Sequence, residues 1–166
     1  MHSRWFAFCL SGAVVVWDRI TKLWVEAAIT PYETIPVIPG FFDLIYTRNR
    51  GIAFGLFADA EGPLRSLLLV GVALAVLCAV AVLIWRLPRT PDPQHRWLPA
   101  ALGLILGGAA GNLYDRIVHG SVTDFLDFYV GDWHWPAFNV ADSAITTGAV
   151  LLLLESVLRP RRPERT

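Results

Sequence analysis

Four long apolar stretches alternate along the chain with polar, proline-containing segments, running from about Trp5 to Ala28, Leu64 to Trp85, Trp97 to Tyr114 and Phe138 to Leu158. Helices of these lengths, at 1.5 Å per residue, suit a hydrocarbon core of roughly 30 Å. The pattern predicts an all-α membrane protein with four transmembrane helices. Between the first and second stretches the character changes. Pro31, Pro36, Pro39 and Gly40 forbid a long helix, Phe42, Leu44 and Tyr46 alternate with Asp43, Ile45 and Thr47 as in a short strand, and Asn49-Arg50-Gly51 reads as a turn. A small extracytoplasmic β/loop extension is therefore expected between helices 1 and 2. Phe41, Phe42, Ile52, Phe54, Leu56 and Phe57 place it on the membrane surface or against the helices, as a structural cap or a substrate cradle. From Val118 to Ala137 the density of aromatic residues fits an interfacial belt on the outer face.

Composition agrees. The 166 residues are 55% hydrophobic, with a mean hydropathy of +0.50, which suits one integral membrane domain over residues 1–166. A net charge of zero removes the electrostatic case for a nucleic-acid partner. The arginines are segregated: Arg4 at the start, Arg86, Arg89 and Arg96 in one loop, Arg159, Arg161, Arg162 and Arg165 in the tail. By the positive-inside rule both termini and that loop are cytoplasmic. Cys9 and Cys78 fall inside apolar spans and are expected to pack, not to form a disulfide framework. Arg4 ahead of an apolar run resembles a signal peptide, but no small-residue cleavage site follows, so an uncleaved first span is expected.

Candidate chemistry gathers at one membrane face. Gly103, Gly107 and Gly111 follow the small-xxx-small pattern of close helix packing. That packing would bring Asn112, Asp115 and Arg116 against neighbouring helices, on the same side as Asp124, Asn139 and Asp142. Ionisable groups at such depth are costly and usually functional. Two carboxylates within a few Å cannot both ionise cheaply, so one keeps a proton while the other stays charged. Such a pair can activate water and protonate a leaving amine, which is aspartyl-protease chemistry without metal or cofactor. Asn139 with Asp142 three residues on also reads as a helix N-cap, which explains one acid but not three. Asp18 and Lys22, one turn apart, read as a stabilising ion pair. No HExxH occurs, the four histidines are scattered over both sides of the membrane, and no GxSxG is present, so zinc and serine hydrolysis are not indicated. A small transporter or proton-relay protein would instead spread its acids through the bilayer, and a structural membrane subunit would have no use for the cluster.

The chain resembles the bacterial lipoprotein signal peptidases (signal peptidase II). Asp18 to Lys22, Asn49 to Phe54, Gly107 to Arg116, Val122 to Phe125 and Phe138 to Ser143 are similar to five family motifs, in order. The resemblance implies an aspartyl endopeptidase of the inner membrane, with its active site near the extracytoplasmic face. It would remove the signal peptide from prolipoproteins by cleaving before a diacylglyceryl-modified cysteine. It further implies Asp124 and Asp142 as the catalytic dyad and Asn112, Asp115, Arg116 and Asn139 as a supporting polar shell, with Arg116 holding Asp115 ionised. Asp18, Lys22, Asn49 and Gly51 would belong to the substrate site. One aspartate would deprotonate water while the other donates to the scissile carbonyl and then to the leaving nitrogen. Membrane lipid and globomycin-like inhibitors are the other implied partners. Arg19 stands where the family commonly has Gln, and Arg50 occupies a variable place.

Overall fold

The computed structural model describes residues 3–31, 33–51, 63–88 and 95–158. The helices are α1 (Ser3–Ala28), α2 (Pro63–Arg86), α3 (Leu98–His119) and α4 (Val140–Leu158). The strands are β1 (Thr34–Ile38) and β2 (Phe42–Asn49) between α1 and α2, and β3 (Val122–Val130) and β4 (Trp133–His134) between α3 and α4. Residues 52–62, with the second half of the Asn49 motif, lie outside the described residues, as do positions 89–94 and 159–166.

Helix α3 is the centre, packed against α1, α2 and α4. Its glycines explain how. A Cβ on Gly103 would stand 2.6 Å from the Ala7 carbonyl oxygen and one on Gly107 2.7 Å from that of Ser11, so these two positions receive the α1 backbone. Gly108 does the same for the Ala141 carbonyl of α4, and Gly148 of α4 meets the Ala101 carbonyl of α3 at 2.7 Å. The expected small-residue packing is present, and it serves two neighbours of α3 at once.

Ala7, Ile84, Leu102 and Leu106 form an apolar core among α1, α2 and α3. A second core joins Val25 and Ile29 of α1 to Phe125 of β3. Many of the other apolar side chains point outward, including Trp17, Leu67, Val72, Trp85 and Leu153. Among the described residues two helical segments are long and apolar enough to cross a membrane, Leu67–Arg86 and Val140–Leu158. Cys9 and Cys78, expected to pack, are exposed on α1 and α2.

The extension is larger than expected. All four strands join one antiparallel sheet in the order β1-β2-β3-β4, so the segment read as an aromatic belt contributes half the strands. Strand β3 lacks a clean alternation because both of its faces are covered: Val122 to Phe125 are all buried. Helix α3 also continues past Tyr114 to His119, where Gly120 at φ 69° closes it by donating its N–H to the Arg116 carbonyl. Phe138 pairs with Leu126 through two hydrogen bonds of 2.9 and 3.1 Å. That bridge fixes the start of α4 beside β3.

Candidate active site

Asn139 and Asp142 open α4 as a reciprocal cap. Asn139 Oδ1 accepts the Asp142 N–H at 3.0 Å, and Asp142 Oδ2 accepts the Asn139 N–H at 3.2 Å. The cap reading of these residues is therefore correct, and it does not exhaust them. Asn139 Nδ2 also donates to Asp124 Oδ1 at 2.7 Å, and Asn49 Nδ2 at the end of β2 donates to Asp124 Oδ2 at 3.0 Å. Asn112 Nδ2 of α3 donates to Asp142 Oδ1 at 2.7 Å. Every oxygen of the two carboxylates thus has a donor, and the bridging residue Asn139 touches both.

Asp124 and Asp142 line one cleft of about 870 Å³ with Asn49, Asn112 and Arg116. From this polar end the cleft passes between helices, reaching Val76 of α2 and Thr146 of α4. Burial, reinforced by the nearby Asp142 carboxylate, pushes the Asp124 carboxyl up to about 7. Such a cleft can hold a proton on one carboxyl and a charge on the other near neutral pH.

A buried ionic cluster lies against the cleft wall. Lys22 Nζ stands 2.8 Å from Asp18 Oδ2, 2.8 Å from Asp115 Oδ2 and 3.1 Å from Asn112 Oδ1. Arg19 Nη1 donates to Asp115 Oδ1 at 3.0 Å. Two buried acids are thus matched by two cations, which such acids require. The expected Asp18–Lys22 pair forms. Asp115 is held by Arg19 and Lys22, correcting the expectation that Arg116 would hold it. Arg116 instead donates to the Asn112 and Gly51 carbonyls, each at 3.3 Å, while the Gly51 N–H closes the expected turn on Asn49 Oδ1 at 2.9 Å.

The residues expected to meet substrate divide. Asn49 lines the cleft, whereas Asp18 and Lys22, both essentially inaccessible, sit outside its lining and reach it through Asn112. Gly111 makes room for this cluster, since a Cβ there would stand 2.7 Å from Asp18 Oδ2. Sequence reasoning gave no role to Glu26, a charge in the first span, or to Thr123, inside the Val122–Phe125 motif; the two bond to each other at 2.8 Å. The available signal was the four-residue spacing of Asp18, Lys22 and Glu26 on one helix face.

The family model described as signal peptidase (SPase) II matches residues 10–158. A lipoprotein signal peptidase of Solibacter usitatus (strain Ellin6076) is 46% identical over 159 residues, covering 96% of this chain and 94% of its own. One from Yersinia pseudotuberculosis serotype O:1b (strain IP 31758) is 45% identical over 157 residues, covering 95% and 88%. Two solved structures, each described as a bacterial membrane enzyme, superpose with TM-scores of 0.77 and 0.76 at 27% and 26% identity. They cover 96% and 93% of this chain, and 94% of each of theirs. With the family model spanning most of its length, this chain belongs to the lipoprotein signal peptidase (signal peptidase II) family of membrane proteases.

Proposed function

We propose that the protein is an aspartic endopeptidase that cleaves prolipoproteins before their diacylglyceryl-modified cysteine, with Asp124 and Asp142 as its dyad. The observation that carries this is the pairing of the two carboxylates in one cleft through Asn139. Their environments are unequal. Asp142 lies in the first turn of α4, where the helix dipole and the Asn139 N–H favour a carboxylate. Asp124 sits on a strand without that aid, and burial keeps its proton on up to about 7. Asp142 is then the base and Asp124 the acid.

In the first step Asp142 takes a proton from water as the oxygen attacks the scissile carbonyl carbon, and Asp124 gives its proton to the carbonyl oxygen. In the second, Asp142 returns its proton to the leaving nitrogen as the C–N bond breaks, and Asp124 recovers its own from the diol. Asn112 and Asn139 keep the carboxylates aimed, Asn49 borders the substrate path, and Gly51 supports it by closing the turn on Asn49 and accepting from Arg116. Arg116 places positive charge on the cleft wall. The apolar end of the cleft suits the lipid-bearing part of the substrate, and a globomycin-like inhibitor would compete for the same space. Four helices crossing the inner membrane, with both termini cytoplasmic, would set this cleft near the extracytoplasmic face.

The test is cleavage of a prolipoprotein, with and without prior diacylglyceryl transfer, by purified enzyme in detergent. Asp124→Asn and Asp142→Asn should stay folded and lose lipid-dependent cleavage by at least about 10³-fold, while Asp115→Asn retains part of it. Survival of cleavage in either dyad variant would move the chemistry to another residue. A wild type inert on the lipidated substrate would favour the transporter reading.

A further inference from the structure

Asp18, Lys22 and Glu26 form one stripe on α1, four residues apart. Each contacts a different element beside the dyad. Asp18 Oδ1 accepts the Ala141 N–H at 2.9 Å, one residue before Asp142. Lys22 reaches Asn112, the donor to Asp142. Glu26 Oε1 accepts the Thr123 hydroxyl at 2.8 Å, one residue before Asp124. Arg19 Nη2, 3.7 Å from Glu26 Oε2, orients the glutamate from the other side while Arg19 Nη1 holds Asp115.

Thr123 is buried and clamped at two points, because its carbonyl also accepts from Asn139 Nδ2 at 3.3 Å. Successive side chains on a strand point to opposite faces, so a residue that grips α1 leaves its neighbour Asp124 aimed at the cleft. The β2–β3 ladder, which pairs Val122, Thr123 and Asp124 with Asn49, Arg48 and Thr47, cannot by itself set where β3 sits along α1. Its register breaks between Leu44 and Thr47, the latter being the partner of Asp124. Nor can the contact of Phe125 with Val25 and Ile29, which is apolar and non-directional.

We propose that Glu26, oriented by Arg19, is a positioning residue of the enzyme: its bond to Thr123 sets where β3 sits along α1, and so the separation of Asp124 from Asp142. This rests on the peptidase reading given above. Nothing in the reaction requires Glu26 to touch substrate. Its effect falls on the chemical step, where a misplacement near 1 Å can cost on the order of 10²-fold.

The experiment uses the full-length enzyme with a diacylglyceryl-modified prolipoprotein and compares Glu26→Ala, Thr123→Val, Thr123→Ser and the Glu26→Ala/Thr123→Val pair, with Asp124→Asn as control. Each of the first two variants should lower kcat by about tenfold and leave KM within about twofold. The double variant should be no slower than the slower single one, and Thr123→Ser should restore kcat to within about twofold of wild type. If Glu26→Ala fails to fold, the nearly isosteric Thr123→Val and its serine rescue decide alone. Singles that keep wild-type kcat, losses that multiply in the double variant, or absent rescue by serine would overturn the proposal. Those results, with an active wild type and an inactive Asp124→Asn, would leave the peptidase reading standing. An inactive wild type would overturn both.

Discussion

Burial and the Asp142 carboxylate together push the Asp124 carboxyl up to about 7, against hydrogen bonds from Asn49 and Asn139 and the charge of Lys22, which pull it down. A raised carboxyl means that the folded protein binds a proton that the unfolded chain has released above its ordinary value of 3.8. This contribution to stability is therefore present at low pH, declines as pH rises towards about 7, and is constant above that. Asp124→Asn removes the titration while keeping the shape. Its Tm should exceed that of wild type near pH 8 by about 2–4 °C for each kcal/mol released, and the two should converge near about pH 4.5. Activity needs the same proton, so kcat/KM should fall about tenfold per unit once pH passes about 7. A wild-type profile flat to pH 9, or equal Tm values at pH 8, would show that Asp124 ionises normally. The paired acids and their asparagines were legible in the sequence because each stands in a motif and at a segment end. Asp115 was placed with the wrong partner because Arg19 is a contact across 96 positions, which no local spacing reports.

Between elements, close approach decides the architecture. Gly107 lets the Ser11 carbonyl and the Val14 side chain come to within 2.7 Å of where a Cβ would stand, whereas Gly12 has nothing within 4 Å. Gly107→Ala must therefore separate α1 from α3, with a cost of roughly 1–3 kcal/mol, and through Asn112 and Lys22 it should lower activity as well. Gly12→Ala should be neutral or raise stability by roughly 0.5–1 kcal/mol, the helix-propensity gain of alanine over glycine. Thermal unfolding in one detergent checks both, and equal effects of the two would sink the packing argument. Helices α1, α2 and α4 were legible to within a few residues because apolar content reports them directly. Strand β2 was legible from alternation. Strand β3 was not, because Thr123, Asp124 and Asp127 are buried among Val122, Phe125 and Leu126, and a strand covered on both faces loses the period that identifies it. Glu155, the lone charge on the C-terminal half of α4, accepts the Trp97 N–H at 2.9 Å and thereby ties α4 to the start of α3. Its partner lies 58 positions away, so its role too was invisible locally.

At the scale of the whole molecule, the sheet lies at one end of the helices and the end of α2 with the start of α3 at the other, and the proposed chemistry needs the sheet end to face outward. The arginine distribution supports that orientation. The sheet end carries Asp43, Asp124 and Asp127, while Arg86 and Arg96 flank the opposite connection. Orientation can be read chemically because Val130, the last residue of β3, and Arg96 are both exposed. In a background carrying Cys9→Ser and Cys78→Ser, a membrane-impermeant maleimide should label Val130→Cys in right-side-out spheroplasts. Arg96→Cys should be labelled only after permeabilisation or in inverted vesicles. The reverse pattern would put the cleft on the cytoplasmic face, where it could not meet an exported prolipoprotein. Labelling of both positions in intact spheroplasts would contradict a single crossing between them, since α3 is the one long helix separating Arg96 from Val130. A single crossing by α3 would carry Asp115 and Arg116 at its sheet end, and the contacts of Asp115 with Arg19 and Lys22 and of Arg116 with backbone carbonyls would make such a crossing tolerable.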